Sequence, residues 1–200
     1  VDLSELNVQI NLEDSIPRKL VEREDKFNVI ESQFKPINIS VLTVSDTRTE
    51  ATDKSGQILA KKIKEKGHGL AHKQIVKDEK EEIKKILLNW CNDKNVDVIL
   101  ATGGTGLTGR DTTPEALDEI KDKDIPGFGE LFRLISYKKI GASTIQSRAM
   151  AVLVKGTYVF ALPGSSGAVT DAWEDILKFQ LDSRFRPCNF IELIPRLNEQ

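Results

Sequence analysis

The chain alternates short apolar runs with longer segments in which apolar residues recur every three or four positions. This pattern predicts β-strands separated by amphipathic helices. The predicted strands cover residues 37–45, 72–76, 96–104 and 157–165. The predicted helices cover residues 55–67, 77–91, 126–139, 143–153 and 167–185, and a further helix begins at "TTPEAL". The first and third strands are apolar almost throughout, which is typical of strands covered on both faces.

Regular alternation of strands and helices predicts a three-layer α/β/α fold with a mainly parallel, Rossmann-like sheet. Residues 1–35 lack sustained periodicity, so we interpret them as an N-terminal extension with a short helix near residues 17–24. Residues 36–200 are predicted to form the α/β domain.

Composition narrows the class of protein. The chain has 30% charged residues and a formal net charge of -2, which does not favour general nucleic-acid or membrane-surface binding. No apolar run approaches the ~18 residues that span a bilayer, and two cysteines are too few for a disulfide framework. We therefore expect a cytoplasmic protein without a membrane or nucleic-acid partner. His68 and His72 flank Gly69 at a helix end and are expected on the surface, whereas Cys91 is expected in the core.

Three of the loops that follow predicted strands are rich in glycine, serine and threonine: "SDTRTEATDKSG", "TGGTGLTGRDTT" and "PGSSGA". In open parallel sheets, ligands bind beyond the carboxyl ends of the strands. Glycines let backbone N–H groups approach an anion, and hydroxyls donate to phosphate oxygens. The same turns also fit a purely connecting role. The candidate binding residues are Ser45, Asp46, Thr102, Gly103, Gly104, Thr105, Gly106, Pro163, Gly164, Ser165 and Ser166.

The segment "TTPEAL" has the composition of a helix start. Thr112 or Thr113 is predicted to cap the helix, with Pro114 in its first turn and Glu115 completing a capping box. A helix N-terminus beside a glycine loop is a favourable phosphate site. The glycine loop lacks the Lys-Ser/Thr pair of a P-loop, and the first strand–helix turn lacks the dinucleotide fingerprint. An ordinary P-loop NTPase or a nicotinamide dehydrogenase is therefore not expected.

Acidic residues follow each of the first three strands. They are Asp46, Asp78 and Asp111. Carboxylates beside a phosphate site commonly hold Mg²⁺, which neutralises charge while a phosphoryl or nucleotidyl group moves. Asp46 and Asp78 also fit a turn or helix-cap role. For Asp111 the neighbouring threonines already supply the cap, which favours a functional role.

Five separated blocks carry a family resemblance: "VLTVSDTR", "TGGTGLTGRDTTPEAL", "PGFGELFR", "SRA" and "FALPGS". In this order and spacing they closely resemble the MoaB/MogA family of molybdenum cofactor biosynthesis proteins, over roughly residues 37–195. The resemblance implies the molybdopterin-binding fold. In catalytic members it also implies adenylylation of molybdopterin by ATP, with release of pyrophosphate and with Mg²⁺ as cofactor.

Two acids of this chain match the catalytic positions of the family. The resemblance assigns the catalytic and metal-binding acids to Asp78 and Asp111, both present here. Some MoaB-type members lack the first acid and bind the pterin without adenylylating it, so a non-catalytic molybdopterin-binding protein is the alternative. Catalytic MogA-type members usually carry a proline where this chain has Ser166.

The resemblance also implies partners. Family members form trimers, and MoaB-type members form hexamers, so a homo-oligomer is expected, with other cofactor-pathway enzymes as further partners. An apolar subunit contact is predicted from Phe128, Leu131, Phe132 and Ile135, whose helical spacing also suits the core of the monomer. A scaffold that uses the fold only for protein contacts is a third hypothesis.

Overall fold

The structure is a computed structural model that describes residues 33–197 and 199. Within these residues, six strands form one sheet in the order β2-β1-β3-β6-β5-β4. The strands are β1 (Asn38–Val44), β2 (Gly69–Val76), β3 (Val98–Thr102), β4 (Lys123–Asp124), β5 (Met150–Val154) and β6 (Thr157–Leu162). The pairs β1–β2, β1–β3 and β3–β6 are parallel, whereas β5 runs antiparallel to both β6 and β4.

Helices connect the strands and cover the sheet on both faces. They are α1 (Lys54–Lys66), α2 (Lys80–Cys91), α3 (Thr113–Ile120), α4 (Pro126–Ile140), α5 (Ser166–Ala172) and α6 (Lys178–Gln180). A π-helical turn, Trp173–Leu177, joins α5 to α6, and 3₁₀ turns cover Gly141–Gln146 and Ile191–Arg196. None of the helices in the described part of the chain is long and apolar enough to cross a membrane.

Two apolar clusters form the core, one on each face of the sheet. Helices α1, α4 and α5 pack over one face, where they bury residues such as Leu59, Phe132 and Val169. Helices α2 and α3 pack over the other face with residues such as Ile83 and Leu117. The predicted three-layer, mainly parallel α/β fold is therefore confirmed.

The predicted helix over residues 143–153 is wrong. The segment splits into the 3₁₀ turn that ends at Gln146 and strand β5, which pairs with β6 as a hairpin. Lys155 and Gly156 both have positive φ, of 50° and 79°, as a two-residue type I′ turn requires. The signal in the sequence is the Lys-Gly pair between two β-favouring apolar runs.

The predicted subunit contact on α4 is only partly exposed. Phe128 and Phe132 are 4% and 2% exposed and belong to the core of the monomer. Ile135 is partly buried against the same cluster, while Leu131 is 43% exposed. For the two phenylalanines the alternative reading, packing within the monomer, is the correct one.

His68 is not on the surface as predicted, since only 5% of it is exposed. Its Nδ1 accepts the Ile37 N–H at 3.3 Å, and Phe34 packs against its ring. Burial lowers the pKa of His68 to about 4. His72 is half-buried, contacting Asp93 and stacking on Trp90. Cys91 is buried as predicted.

Residues 1–32 of the predicted extension, including its helix near residues 17–24, lie outside the described residues. From residue 33 the chain packs on its own C-terminal segment. The Lys35 N–H donates to Ser183 Oγ at 3.0 Å, and the Arg184 guanidinium lies over the Phe34 ring. The boundary at residue 36 stays a prediction.

Candidate functional site

The loops that follow β1, β2, β3 and β6 meet at one edge of the sheet, because these strands are parallel neighbours. Backbone hydrogen bonds join the loops where the strands end. The Ser45 N–H donates to the Val76 carbonyl at 2.8 Å, and the Gly103 N–H donates to the Leu162 carbonyl at 3.0 Å. The Thr102 hydroxyl donates to the Pro163 carbonyl at 3.1 Å. The two glycine loops predicted from the sequence therefore lie side by side.

A cleft of about 450 Å³ opens between these two loops and α4. Residues 103–106 and 163–165 form one wall together with Asp111. The opposite wall comes from α4 and the turn after it, with Phe132, Ser136, Ile140, Ser143, Thr144, Gln146 and Ser147. Of the described residues that line the cleft, none is a lysine or an arginine. The cleft combines apolar contacts, hydroxyls and glycine-loop backbone.

Seven of the predicted binding residues line this cleft, and four lie off its walls. Ser45 Oγ accepts the N–H groups of Thr47 and Arg48, so it closes the turn after β1. Thr102 is fully buried between the two glycine loops. Ser166 begins α5, and its carbonyl accepts the Thr170 hydroxyl at 2.8 Å. Asp46, the fourth, faces the loops that follow β2 and β3. A direct ligand contact by any of the eleven stays a prediction.

Asp78 is a nearly buried carboxylate held against the glycine loop. Its Oδ1 accepts both the N–H of Thr112, at 3.0 Å, and the hydroxyl of Thr112, at 2.9 Å. Thr112 stands at the N-cap of α3, but its hydroxyl serves Asp78 rather than the helix. Burial raises the pKa of Asp78, and the Thr112 bonds oppose this rise. Asp78 is therefore not the cap of α2, whose N-cap residue is Glu79.

Asp111 lies in the glycine loop itself, in a different environment. Its Oδ2 accepts the Thr108 hydroxyl at 2.6 Å and the Thr108 N–H at 2.9 Å. These bonds lower the pKa of Asp111. A Cβ added at Gly104 would lie 2.7 Å from Asp78 Oδ2, and one added at Gly106 would lie 2.6 Å from Asp111 Oδ2. Both carboxylates therefore pack directly on the backbone of one loop.

Two arginines fix the glycine loops through main-chain carbonyls. Arg148 donates to the carbonyls of Gly106, at 2.7 Å, and Asp111, at 2.8 Å, and it also pairs with Glu115. The predicted capping role of Glu115 is therefore replaced by this ion pair. Arg48 donates to the Gly164 carbonyl at 2.6 Å. Sequence reasoning assigned no role to either arginine, although each lies in a quoted block, "SDTR" and "SRA".

A third arginine, Arg110, links the loops that follow β1, β2 and β3. Its guanidinium donates to both carboxylate oxygens of Asp46 at 2.9 Å and to Glu79 Oε1 at 2.8 Å. Asp46 Oδ1 in turn accepts the Asp78 N–H at 3.2 Å. The bond from Arg110 is the main reason why the pKa of Asp46 is lowered. Asp46 thus connects loops, a role that differs from the helix cap considered above.

The donor set at this edge suits a cation that takes few protein ligands. Across residues 33–197 and 199, no group of three or more histidine, cysteine or acidic side chains is arranged to hold a metal ion. Mg²⁺ commonly binds one or two carboxylates and completes its shell with waters and phosphate oxygens. The hydrogen bonds from Thr112 go to Oδ1 of Asp78, and both carboxylate oxygens lie close to Gly104. Asp78 and Asp111 fit this mode, with a phosphate-bearing substrate supplying further ligands.

Comparison with known proteins shows the family to which this fold belongs. Residues 40–183 match the family model described as "Probable molybdopterin binding domain". The chain is 46% identical to molybdenum cofactor biosynthesis protein B of Escherichia coli K12 over 161 residues, covering 80% of this chain and 95% of that protein. The identity to the Bacillus cereus protein of the same name is 49% over 144 residues, covering 72% and 85% of the two chains.

Solved structures agree with the sequence matches. A crystal structure of a molybdenum cofactor biosynthesis protein B aligns with a TM-score of 0.74 at 43% identity, covering 83% of this chain and 98% of that chain. The tungsten cofactor synthesizing protein MoaB from Pyrococcus furiosus aligns with a TM-score of 0.68 at 32% identity, covering 82% and 99%. The chain belongs to the MoaB-type family of molybdenum cofactor biosynthesis proteins.

Proposed function

We propose that the protein is a molybdopterin adenylyltransferase, which transfers AMP from ATP to the terminal phosphate of molybdopterin. The observation that carries this proposal is the placement of Asp78 and Asp111 on the backbone of one glycine loop beside the cleft. Asp78 also holds Thr112 at the start of α3, and Asp111 also holds Thr108 within the loop. The two carboxylates suit a magnesium ion shared with phosphate oxygens.

The cleft provides the features that a pterin with a phosphate tail requires. Ile140 offers apolar surface to a flat ring system, and the serines and threonines of the same wall offer hydrogen bonds. The backbone of residues 103–106 and the Ser165 turn offer anion sites. A hydrogen bond from the Ala168 N–H to Ser165 Oγ, at 3.2 Å, holds that turn at the start of α5.

The reaction needs positioning and charge neutralisation more than proton transfer. An oxygen of the molybdopterin phosphate forms a bond to the α-phosphorus of ATP, and the bond from that phosphorus to the bridging oxygen breaks. The electron pair leaves with pyrophosphate. The attacking phosphate is already ionised, so no general base is required. Mg²⁺, when bound, supplies neutralisation of the phosphate charges. Asp78 and Asp111 would hold it, and Arg148 would keep the loop carrying Asp111 in place.

The test is turnover with acid-to-amide variants. The full chain is incubated with molybdopterin, ATP and Mg²⁺, and adenylyl-molybdopterin is measured for the parent, Asp78→Asn and Asp111→Asn. We expect each variant to lose about 100-fold or more in rate while it still binds molybdopterin, since removing one electrostatic group commonly costs this much. Asp118→Asn, an exposed acid of α3 paired with Lys121, is the matched control and should retain activity.

The alternative function has its own outcome. Tight molybdopterin binding by the parent without any adenylylated product would show a non-catalytic binding protein of the same pathway. In that case the hydrogen bonds of Asp78 and Asp111 would serve only to shape the glycine loop.

A further inference from the structure

Arg110 differs from the other two arginines of the site in what it contacts. Arg48 and Arg148 each lie near a carboxylate, Asp53 and Glu115, but both also donate to main-chain carbonyls of the glycine loops, which commits them to holding those loops. Arg110 donates to the carboxylates of Asp46 and Glu79. A phosphate oxygen can replace a carboxylate oxygen in the same planar, two-pronged geometry.

The ion pairs of Arg110 are exposed to solvent. The side chain of Arg110 is 58% exposed, and those of Asp46 and Glu79 are 38% and 51% exposed. Ion pairs in such surroundings contribute little to stability, because water competes for both partners and salt screens them. Arg110 can therefore leave these acids at small cost when a stronger anion arrives.

A nucleotide polyphosphate at this edge of the sheet would need a cationic side chain such as Arg110 to offset the acids there. Four acids gather here, namely Asp46, Asp78, Glu79 and Asp111, and the described walls of the cleft carry no lysine or arginine. A bound metal would neutralise only part of the charge of a triphosphate. Arg110 lies next to Asp111 in the chain and contacts the loops after β1 and β2, on the side where Asp78 is held.

We propose that Arg110 binds the diphosphate portion of the nucleotide, exchanging Asp46 and Glu79 for phosphate oxygens. This inference rests on the proposed function. In that reaction Arg110 meets the negative charge that develops on pyrophosphate as the bond to the α-phosphorus breaks. Asp46 and Glu79 hold the guanidinium near its working position before the nucleotide binds.

Exchange and simple bridging predict opposite effects for one variant. If the acids compete with phosphate for Arg110, removing the competing charge in Glu79→Gln strengthens polyphosphate binding. If Arg110 only ties the loops together, Glu79→Gln and Arg110→Gln both loosen the same link and both weaken binding. Glu81→Gln is the matched control, because it removes an acid from the same end of α2 but contacts Lys84 instead.

The measurement is calorimetric titration of the full chain with inorganic pyrophosphate and Mg²⁺. We expect Arg110→Gln to raise the Kd about tenfold or more and Glu79→Gln to lower it about two- to threefold, as charge-assisted phosphate contacts imply. The gain from Glu79→Gln should vanish in the double variant with Arg110→Gln, and Glu81→Gln should leave the Kd within experimental error. Unchanged molybdopterin affinity of Arg110→Gln checks that the site is intact.

Several outcomes overturn the inference. These are a parent that does not bind pyrophosphate, an Arg110→Gln variant with the parental Kd, or weaker binding in Glu79→Gln. In a parent that turns over, Arg110→Gln should also raise the KM for ATP. Adenylylation that does not depend on Arg110 would leave the proposed function standing without this inference. If pyrophosphate binding depends on Arg110 but no adenylylated product forms, the contact between Arg110 and polyphosphate stands and the proposed function fails.

Discussion

The two acids at this site, Asp78 and Asp111, have different environments although both pack on the same glycine loop. Asp78 is nearly buried, and burial raises its pKa, while the bonds from Thr108 lower the pKa of Asp111. Asp111 thus carries its charge in the free protein over a wider pH range than Asp78 does. A cation that binds both acids would stabilise the ionised form of Asp78 most, since that form is the more costly one without a partner.

Gly103 illustrates how one residue sets the loop. Its φ is +106°, and an added Cβ would lie 2.1 Å from the Val44 carbonyl oxygen. We expect Gly103→Ala to lower the free energy of unfolding by roughly 2–4 kcal/mol. An alanine is strained at this positive φ, and its Cβ collides with the Val44 carbonyl. Urea unfolding measures this loss of stability, and molybdopterin affinity should fall in parallel.

Gly109, six residues further along the same loop, is the matched control. A Cβ there meets nothing within 4 Å. Gly109→Ala should change the free energy of unfolding by less than about 1 kcal/mol. Equal destabilisation by the two alanine variants would contradict this account of Gly103.

At the scale of elements, the sheet places the chemistry and the helices provide the walls. Parallel strands β1, β2, β3 and β6 place their loops at one edge. Strand β5 runs antiparallel to β6 and so begins at the same edge, where Arg148, just before β5, reaches the glycine loop. The start of α3 contributes Thr112 to Asp78 and Thr113 to the Gly103 carbonyl. Its threonines therefore join elements together rather than only beginning a helix.

The junction of β1, α1 and β2 contains a buried neutral histidine. Since the pKa of His68 falls to about 4 in the folded protein, the unfolded chain binds a proton that the folded chain does not between pH 6.5 and 4. Stability is therefore lost as the pH falls through this window, by at most about 3 kcal/mol from this group. Nearby Lys66 and Asp182 have opposite effects on this pKa.

Urea unfolding at pH 7 and pH 4.5 tests this linkage. The parent should lose more stability on acidification than His68→Gln does, because the variant has no imidazole to protonate. His72→Gln removes a half-exposed histidine and serves as the control, in which the parental loss should persist. The same acid sensitivity in His68→Gln as in the parent would exclude His68 as its source.

At the scale of the whole molecule, an apolar surface extends along α4 and the turn after it. Leu134, Tyr137 and Ile140 are 58%, 59% and 57% exposed, and Ile145 is 84% exposed. Large apolar side chains exposed along one helix and the turn after it favour an interaction site here. The expected homo-oligomer would bury this surface, and the cleft wall formed by Ile140 would then lie near a subunit boundary.

Sedimentation equilibrium of Leu134→Glu and Ile145→Glu tests this expectation. We expect the parent to sediment as a trimer or hexamer and both variants to shift towards the monomer, because a buried carboxylate without a partner is costly. Leu193→Glu, on the C-terminal 3₁₀ turn and 45% exposed, is the matched control. A monomeric parent, or variants with unchanged mass, would refute a subunit contact on this face.

The α/β class, the glycine loops at the strand ends and the family could all be predicted from the amino-acid sequence, because periodicity and short motifs are local properties. The β5 hairpin was misread since its apolar run fits a helix or a strand, and only the pairing with β6 separates the two. Three features needed the folded arrangement: the bond from Thr112 to Asp78, the burial of His68, and the partners of each arginine. These contacts join residues distant in the chain, so their geometry exists only once the sheet has brought the loops together.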